Sequence, residues 1–329
     1  MKDIVIIGTG KAALLHYNSY KKIQNSGKIY FADIKQNSQF ISNAVIYSSI
    51  RECIEDNNLQ TDNLIVDICT PKSEFLSIIK YCKSLGIKDI LVEKPFVIDE
   101  NLSKKLKGLN IIMVENYLFS KLTRTIKRYL DKNHKEISLI YTNFSKDRIS
   151  ESLSGRGYIK EVTLNYEIEI PHQVYLTQYF LNNPADIQNS ITCSRDLKVG
   201  NISLENHGYG LIISRSNDIN IIYESNLTSI ITQKRIIICT KDNYAIEGNY
   251  ALYSKDLELI KPANMSIYYN GQLIHSEIIE EDDNFAYFIK NAYLYFNNEA
   301  PNPNFVDIIS FSNIMNLYCN NLLKRKMSK

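Results

Sequence analysis

A glutamate, a lysine and a proline stand directly after an aliphatic run in the stretch ILVEKPF (90–96). Buried strands avoid charged side chains unless those charges are paired or used. Ligands of open parallel sheets bind outside the carboxyl ends of the strands, and Lys94 stands at such an end. Its ammonium group can therefore serve a ligand site. The alternative is an exposed lysine beside a turn proline, and motifs earlier in the chain decide between the two.

Two glycines, Gly8 and Gly10, directly follow the first apolar run in IIGTGKAA (6–13). Glycines let the chain turn tightly and let backbone N–H groups approach a pyrophosphate, and the N-terminus of the following helix adds partial positive charge. Ala13 takes the place of the usual third glycine. This spacing predicts a dinucleotide site, whereas a simple strand-to-helix turn is the alternative.

Asp33 ends the second predicted strand, about 20 residues after the glycine turn. A carboxylate there can accept hydrogen bonds from both ribose hydroxyls of NAD and repels a 2′-phosphate. Lys35 could instead pair with such a phosphate. The sequence therefore favours NAD and leaves NADP open.

The elements that must position these residues alternate through the first third of the chain. Apolar runs without polar alternation, separated by helices, indicate parallel strands buried on both faces. From about residue 187 to 280 short β-rich runs follow one another, and Asn270-Gly271 is a hairpin signal. We predict an α/β plus α+β protein: a dinucleotide-binding Rossmann domain (1–117) with a doubly wound parallel sheet, and a substrate-binding and oligomerisation domain (118–329) on a large, mostly antiparallel open sheet.

Three motifs in this order, VIIGTGKAA (5–13), DICTP (67–71) and VEKPF (92–96), resemble the glucose–fructose oxidoreductase / inositol dehydrogenase family (Gfo/Idh/MocA). The resemblance implies NAD(P)-dependent hydride transfer to or from a secondary alcohol or ketone of a sugar, cyclitol or sugar nucleotide. It implies that Lys94 contacts the reacting hydroxyl and the nicotinamide ribose, and that Glu93 holds the loop and partners the lysine. The expected cofactor-binding positions are Gly8, Thr9, Gly10, Lys11, Ala12, Asp33, Ile34, Cys69, Thr70, Pro71, Glu93, Lys94 and Asn116.

The resemblance also implies a histidine from the second domain, and the best match is His172 in YEIEIPHQVYL (166–176). The family pattern has an Asp four residues before this histidine and another three residues after it. Here those positions hold Ile168 and Tyr175, and isoleucine cannot accept a proton. The predicted catalytic residues are Lys94, His172 and Tyr175. Substitutes for the missing groups are the acids Glu167 and Glu169 and the hydroxyls of Tyr175, Tyr166 and Tyr117.

The segment SKDRISESLSGRGYIK (145–160) is expected to be a mobile polar loop over the site. Arg148 and Arg156 could bind a carboxylate or phosphate of the substrate. The alternative is a pair of solvated loop arginines.

The overall composition limits the binding partners that the sequence predicts. Lys+Arg number 38 and Asp+Glu 36, so the net charge of +2 demands neither nucleic acid nor an anionic membrane. The six cysteines have no metal-like spacing, so we predict no metal and a reducing, cytoplasmic setting. No segment approaches the roughly 18 apolar residues of a membrane span. A homodimer or homotetramer through the C-terminal sheet is expected from the resemblance.

Two other functions stay open. Ile168 leaves room for an imine or double-bond reductase on the same scaffold. A non-catalytic, dinucleotide-binding regulatory protein is the third reading, although such a protein needs neither Lys94 nor His172.

Overall fold

The computed structural model describes residues 1–35, 44–154, 165–182, 187–254 and 258–327. The chain divides into two compact units. The first contains Met1–Asn116 and Asn284–Ile309, and the second contains Tyr117–Asp283 and the chain from Ser310 onward.

The first unit is built on a six-stranded sheet in the order β3-β2-β1-β4-β5-β6, and every neighbouring pair is parallel. The strands are β1 (Asp3–Ile7), β2 (Ile29–Ala32), β3 (Ile46–Tyr47), β4 (Leu64–Ile68), β5 (Asp89–Val92) and β6 (Asn110–Met113). The helices are α1 (Lys11–Tyr20), α2 (Ile50–Asn57), α3 (Lys72–Ser84) and α4 (Glu100–Lys105), with 3-10 turns at Thr61–Asn63 and Asn116–Phe119. This is the doubly wound sheet that the sequence predicts.

Burial explains why the central strands are apolar without alternation. Every residue of β4 and β5 is buried, as expected for strands with helices on both faces. A side-chain cap starts α2, where the Ser49 hydroxyl accepts the Glu52 N–H at 3.1 Å. Pro71 occupies the N-cap position of α3, which begins at Lys72.

The second unit is built on an eight-stranded sheet in the order β16-β15-β12-β11-β7-β10-β9-β8. Only the β7–β10 pair is parallel. The strands are β7 (Ile137–Asp147), β8 (Ile187–Val199), β9 (Ile202–Ser216), β10 (Ile219–Asn226), β11 (Thr228–Thr240), β12 (Tyr244–Asn249), β15 (Ala263–Tyr269) and β16 (Gln272–Ile279), beside a small pair β13 (Leu252–Tyr253) and β14 (Leu259–Lys261). The predicted fold class, with its mostly antiparallel second sheet, is confirmed.

Helices cover one face of this sheet. They are α5 (Lys121–Lys132), α7 (Asn165–Ile168) and α8 (Ile170–Leu181). Helix α6 (Ile149–Ser154) follows β7, and α10 (Ile308–Met327) is the last helix of the described chain. Helix α9 (Asn284–Phe296) belongs to the first unit, where it packs on α1. Helix α8 packs on β7 and β10, where the Thr142 hydroxyl donates to the Gln173 side-chain oxygen at 2.6 Å. The alternation along β7 therefore points Thr142, Phe144 and Lys146 toward α8.

Two sequence expectations about connections have different outcomes. Asn270 and Gly271 both have positive φ and join β15 to β16, so the predicted hairpin is confirmed. The predicted loop at 145–160 is wrong for residues 145–147, which end β7 (Ile137–Asp147), and for Ile149–Ser154, which form α6. The N–H of Ser152 donates to the carbonyl of Arg148 at 2.9 Å, which starts this helix, and the rest of the segment lies outside the described residues.

All six cysteines are free thiols. In the part of the chain that the structure describes, no helix combines the length and the apolar character needed to cross a membrane.

Candidate functional site

The strands of the first sheet end in one row. The register pairs the last residue of β1 with the last residues of β2 and β4, and the last residue of β4 with that of β5. The N–H of Cys69 donates to the carbonyl of Ile7 at 2.8 Å and extends the ladder by one residue. Gly8, Asp33, Cys69 and Glu93 therefore lie side by side at the carboxyl edge of the sheet, where open α/β sheets bind ligands.

The two glycines of the first turn have different reasons to be glycine. Gly8 has φ +90°, and a Cβ there would lie 3.0 Å from the backbone oxygen of Cys69. Gly10 has an ordinary φ of −83° at the N-cap of α1, and no atom of the described residues lies within 4 Å of where its Cβ would be. The space above Gly10 fits the close approach of a ligand.

Helix α1 has no side-chain cap and no acidic residue in its first turn. Its first N–H groups are therefore oriented toward the space above Gly10 without a carboxylate of the first turn to satisfy them. A pyrophosphate suits such a helix N-terminus, so the residues present fit a dinucleotide.

Asp33 lies directly at the glycine turn. One carboxylate oxygen accepts from the Thr9 N–H at 2.9 Å and from the Thr9 hydroxyl at 2.8 Å, and the other accepts from the Lys35 N–H at 2.9 Å. An ionised carboxylate has about four acceptor positions, so it can still accept from a ribose hydroxyl. Asp33 thus ties the end of β2 to the turn after β1.

A buried ion network lies beneath this edge. His16, on α1, is fully buried, with Nδ1 at 2.7 Å from an Asp67 carboxylate oxygen and Nε2 at 3.0 Å from a Glu93 carboxylate oxygen. Asp67 is also fully buried, within β4. His16 therefore joins α1, β4 and the residue that precedes Lys94.

The charges in this network support one another. Burial by itself lowers the pKa of His16, but the electrostatic attraction and hydrogen bonds of Asp67 and Cys69 together outweigh it and raise that pKa well above 6.5. Burial raises the pKa of Glu93, but its hydrogen bond to His16, the charges of His16 and Lys94 and the Lys94 N–H together give a net lowering. The geometry thus describes an imidazolium that donates from both ring nitrogens to two carboxylates.

His16, Asp67 and Cys69 also place one potential metal-ligand atom each within 4.8 Å of the others. Both ring nitrogens of His16 already bond to carboxylates. Burial raises the pKa of the Cys69 thiol to about 12, so the thiolate that a metal needs is disfavoured. The chemistry of this donor set favours an ion pair over a metal centre.

Lys94 follows β5 by two residues and is half-buried. Its backbone N–H donates to the second Glu93 carboxylate oxygen at 3.1 Å, and its peptide bond to Pro95 is cis. Glu93 thus bonds with one oxygen to His16 and with the other to the loop that carries the lysine.

The other positions expected at the cofactor differ in exposure. Gly10, Lys11 and Ile34 are exposed, whereas Ala12, Thr70 and Pro71 are half-buried. Asn116 is buried, and its amide nitrogen lies 3.4 Å from the side-chain oxygen of Asn284.

His172 lies in the first turn of α8 in the second unit, directly after Pro171. Its Nδ1 is 2.8 Å from the Tyr175 hydroxyl, and that hydroxyl oxygen accepts the Tyr117 N–H at 3.2 Å. The Tyr175 hydroxyl therefore links the first turn of α8 to the backbone of Tyr117 and holds Nδ1 of His172 in place, which leaves Nε2 as the ring nitrogen without a bond to Tyr175.

Aromatic rings enclose His172. The Tyr117 ring centroid lies 5.0 Å away, nearly perpendicular, and the Phe144 centroid lies 6.2 Å away. Tyr250 contacts both of these rings, with centroids at 4.9 and 5.7 Å. These walls restrict water around the imidazole and hold its orientation.

Ile168 is buried and ends α7, so it places no acceptor four residues before His172. The nearby acid Glu169 is 2 % exposed and pairs with two lysines: Lys234 by a short contact and Lys146 at 2.9 Å. Glu169 therefore serves a lysine cluster. Arg148 lies close enough to lower the pKa of both lysines, whereas Arg156 lies outside the described residues.

A cavity of about 510 Å³ in the first unit is lined by other residues than those at the carboxyl edge of the sheet. It is bounded by Phe96, α4 and residues 302–309, and none of the expected cofactor or catalytic residues lines it. The carboxyl edge of the sheet stays the candidate site of this unit.

The fold resembles solved oxidoreductases. It is similar to a UDP-N-acetylglucosamine 3-dehydrogenase, GnnA, from Acidithiobacillus ferrooxidans, with 13 % identity over 97 % of this chain and 95 % of that one and a TM-score of 0.70. It is also similar to KijD10, a 3-ketoreductase from Actinomadura kijaniata solved with TDP-benzene and NADP, with 12 % identity over 97 % of each chain and a TM-score of 0.75. At such identities the likeness establishes the fold alone.

No family model matches the sequence, and no curated protein matches it at the sequence level. The architecture is therefore that of the oxidoreductases above, while the activity has to be argued from this chain's own residues.

Sequence reasoning missed His16, Asp67 and the lysines around Glu169. Asp67 carried a usable signal, because a carboxylate within the wholly apolar run LIVDI (64–68) must find a buried partner. His16 carried a weaker signal as a polar residue on the buried face of α1. The partners of Glu169 had no local signal.

Proposed function

We propose that this chain transfers a hydride between a nicotinamide cofactor, NAD or NADP, and a secondary alcohol or ketone carbon of a sugar, cyclitol or sugar nucleotide. The observation that carries the proposal is the single row formed by Gly8, Asp33, Cys69 and Glu93 at the carboxyl edge of the parallel sheet, with Lys94 next in the chain. One protein of similar fold is by name a UDP-N-acetylglucosamine 3-dehydrogenase, and another is a 3-ketoreductase solved with TDP-benzene and NADP, and both names support the substrate class.

The residues that would hold the cofactor come from three strand ends. The turn at Gly8–Gly10 and the N-terminus of α1 would bind the pyrophosphate, and Asp33 would accept from the ribose hydroxyls. The bound nicotinamide would supply or accept the hydride. Asp33 favours NAD, while Lys35 is the residue that would accommodate NADP.

The remaining chemistry is proton movement at the substrate oxygen. Lys94 would bind that oxygen and stabilise the negative charge that develops on it as its proton leaves. His172 would accept or donate the proton, and Tyr175 would hold the imidazole by its hydrogen bond to Nδ1. Tyr175 replaces the orienting carboxylate that Ile168 does not provide.

The test is Lys94→Met, which removes the ammonium and keeps most of the side-chain volume. We expect turnover to fall by at least about a hundredfold, because both oxygen binding and charge stabilisation are lost. NAD binding, measured by calorimetry, should stay within a few-fold. Lys88→Met is the matched control, since Lys88 is exposed at the opposite end of the same strand. Near-normal turnover of Lys94→Met would remove this residue from the mechanism.

A second candidate function is the reduction of an imine or another double bond. The buried Ile168 favours it, because the position lacks a group that could accept a proton or orient the imidazole. Oxidation of NADH and NADPH should be followed with ketosugars and with cyclic imines in parallel. Turnover of imines alone would select the second function. Tight cofactor binding without turnover of ketosugars or imines would instead favour the hypothesis of a non-catalytic regulatory protein.

A further inference from the structure

One edge of the parallel sheet in the first unit is only partly covered. Strand β6 is the last strand in the order and pairs with β5 on one side. Successive residues of a strand present their N–H and carbonyl groups to opposite sides. The N–H of Asn110 donates to the Lys88 carbonyl at 2.8 Å, so the alternate residues Ile111 and Met113 direct their backbone groups away from β5.

A side chain takes the place of a neighbouring strand at Met113. The Asn304 side-chain oxygen accepts the Met113 N–H at 2.9 Å, and the Asn304 amide nitrogen donates to the Met113 carbonyl at 2.7 Å. Ile111 offers the same donor and acceptor two residues earlier, and no described residue pairs with them. Unpaired edge groups of this kind are a template for a further strand.

This unpaired edge borders the cavity of about 510 Å³, because Ile111 and Asn304 both line it. Most of the other lining side chains are apolar. Phe96 and Leu106 are buried, whereas Phe305 keeps 49 % of its surface exposed. A volume of this size, within the range of about 300–1,000 Å³, and apolar walls with a few polar groups are typical of binding sites.

The wall of the cavity formed by residues 302–309 is held in place on β6. Besides the two bonds of Asn304, the Phe305 N–H donates to a carboxylate oxygen of the buried Glu115 at 3.1 Å. A wall that is fixed before a ligand arrives lowers the ordering cost of binding.

Lysines give this cavity a positive rim. Lys104 and Lys107 line it and are exposed, and Asp307 is the single acid among the described residues that line it. The Lys83 ammonium adds a further positive charge, since it donates to the Lys107 carbonyl at 3.3 Å. Such a rim is complementary to an acidic ligand.

We propose that an extended, acidic peptide segment of a partner protein binds in this cavity and adds to β6 as a further strand. One peptide residue pairs with the N–H and the carbonyl of Ile111, an apolar side chain packs against Phe305, and acidic side chains face Lys104 and Lys107. In this mode of recognition main-chain hydrogen bonds give affinity and the side chains give specificity. The inference does not depend on the proposed hydride transfer.

Peptide selection with the full-length protein tests the proposal. A phage-displayed library of random peptides of about twelve residues is selected on the protein, and the enriched peptides are synthesised and titrated by fluorescence anisotropy. We expect these peptides to carry an excess of Asp and Glu. Ile111→Pro should weaken their binding about tenfold, because the N–H that pairs with the peptide is removed. The ladder to β5 does not use this N–H, so an edge strand tolerates the proline. Ile111→Val keeps the N–H and is the matched control.

Changes in the peptide test the same pairing without altering the protein. Methylation of the peptide N–H groups one at a time should abolish binding at the position that donates to the Ile111 carbonyl.

Charge reversal locates the acidic side chains of the peptide. Lys104→Glu combined with Lys107→Glu should weaken the acidic peptides about tenfold or more, and it should tighten peptides whose Asp and Glu are replaced by Lys. Misfolding cannot produce such a gain. Arg128→Glu combined with Lys132→Glu is the control, because both side chains are exposed on α5 and the change in net charge is the same.

The proposal is overturned if no peptide is enriched, if the enriched peptides bind Ile111→Pro as tightly as the wild type, or if reversal of the two lysines leaves their affinity unchanged. Sedimentation of the wild type beside Ile111→Pro identifies a different occupant. A dimer that Ile111→Pro dissociates would assign this edge to a second copy of the chain and would overturn the peptide site.

Discussion

Replacing His16 with leucine should destabilise the first unit by removing the centre of its ion network. The substitution leaves the Asp67 carboxylate fully buried without its cation. The contacts that remain to Asp67 include the Cys69 sulfur at 3.6 Å and the Tyr20 hydroxyl. Glu93 also loses the bond that holds one of its carboxylate oxygens.

The expected loss of stability follows from removing one partner of a buried ion pair. Such changes cost about 3–5 kcal/mol, because the remaining charge stays desolvated. The first unit contains 116 residues from Met1–Asn116 and 26 from Asn284–Ile309, which makes 142. For a unit near that size each kcal/mol shifts Tm by about 2–4 °C, so the expected drop is roughly 6–20 °C.

The assay is calorimetric melting of the full chain, read beside the matched control His275→Leu. His275 is half exposed and lies 4.0 Å from Glu277, so its replacement should change stability by less than about 0.5 kcal/mol. Adding Asp67→Leu to His16→Leu should recover part of the loss, because no buried charge then remains unpaired. A melting temperature of His16→Leu equal to that of the control would refute the network as a stabilising element.

The pH dependence of the stability tests the His16 network independently. Folding raises the pKa of His16, so the stabilisation is complete below its ordinary value of 6.5 and is lost as the pH rises through the raised native value. At the acid end, the lowered pKa of Glu93 means that its contribution disappears as the pH falls through that lowered value. The stability difference between the wild type and His16→Leu should therefore shrink as the solution becomes alkaline. A difference that grows with pH would contradict an imidazolium at this position.

Three further changes probe the two units. Gly10→Val should weaken NAD binding at least about tenfold with little effect on folding, since its side chain enters open space above the turn; calorimetric affinity unchanged by this variant would place the cofactor elsewhere. Burial raises the pKa of Glu115 from 4.5 to about 8, so the free energy of unfolding of the wild type should fall as the pH rises from 4.5 through 8. Glu115→Gln can still accept the Phe305 N–H, and it should abolish this fall when stability is measured by urea titration at each pH. Tyr175→Phe removes the hydrogen bond to Nδ1 of His172 and should lower kcat about tenfold or more with little change in cofactor affinity; an unaltered pH–rate profile would count against a role for Tyr175 in orienting the imidazole.

The amino-acid sequence by itself determined the elements and the edge at which they end. Unbroken apolar runs indicate buried parallel strands because both faces are covered, and Gly8 and Asn270-Gly271 mark turns because their backbone needs positive φ. These are local properties, and Asp33 and Lys94 could be placed at strand ends on that basis alone.

Only the tertiary structure decided which side chains meet. His16 finds Asp67 51 positions away and Glu93 77 positions away, and Glu169 finds Lys234 65 positions away. No periodicity carries such pairings, because they depend on which strands become neighbours and on which face each side chain lies. The buried charges must nevertheless be paired, since an isolated charge in a protein interior is too costly to keep. The sequence thus required partners for these groups, and the fold selected them.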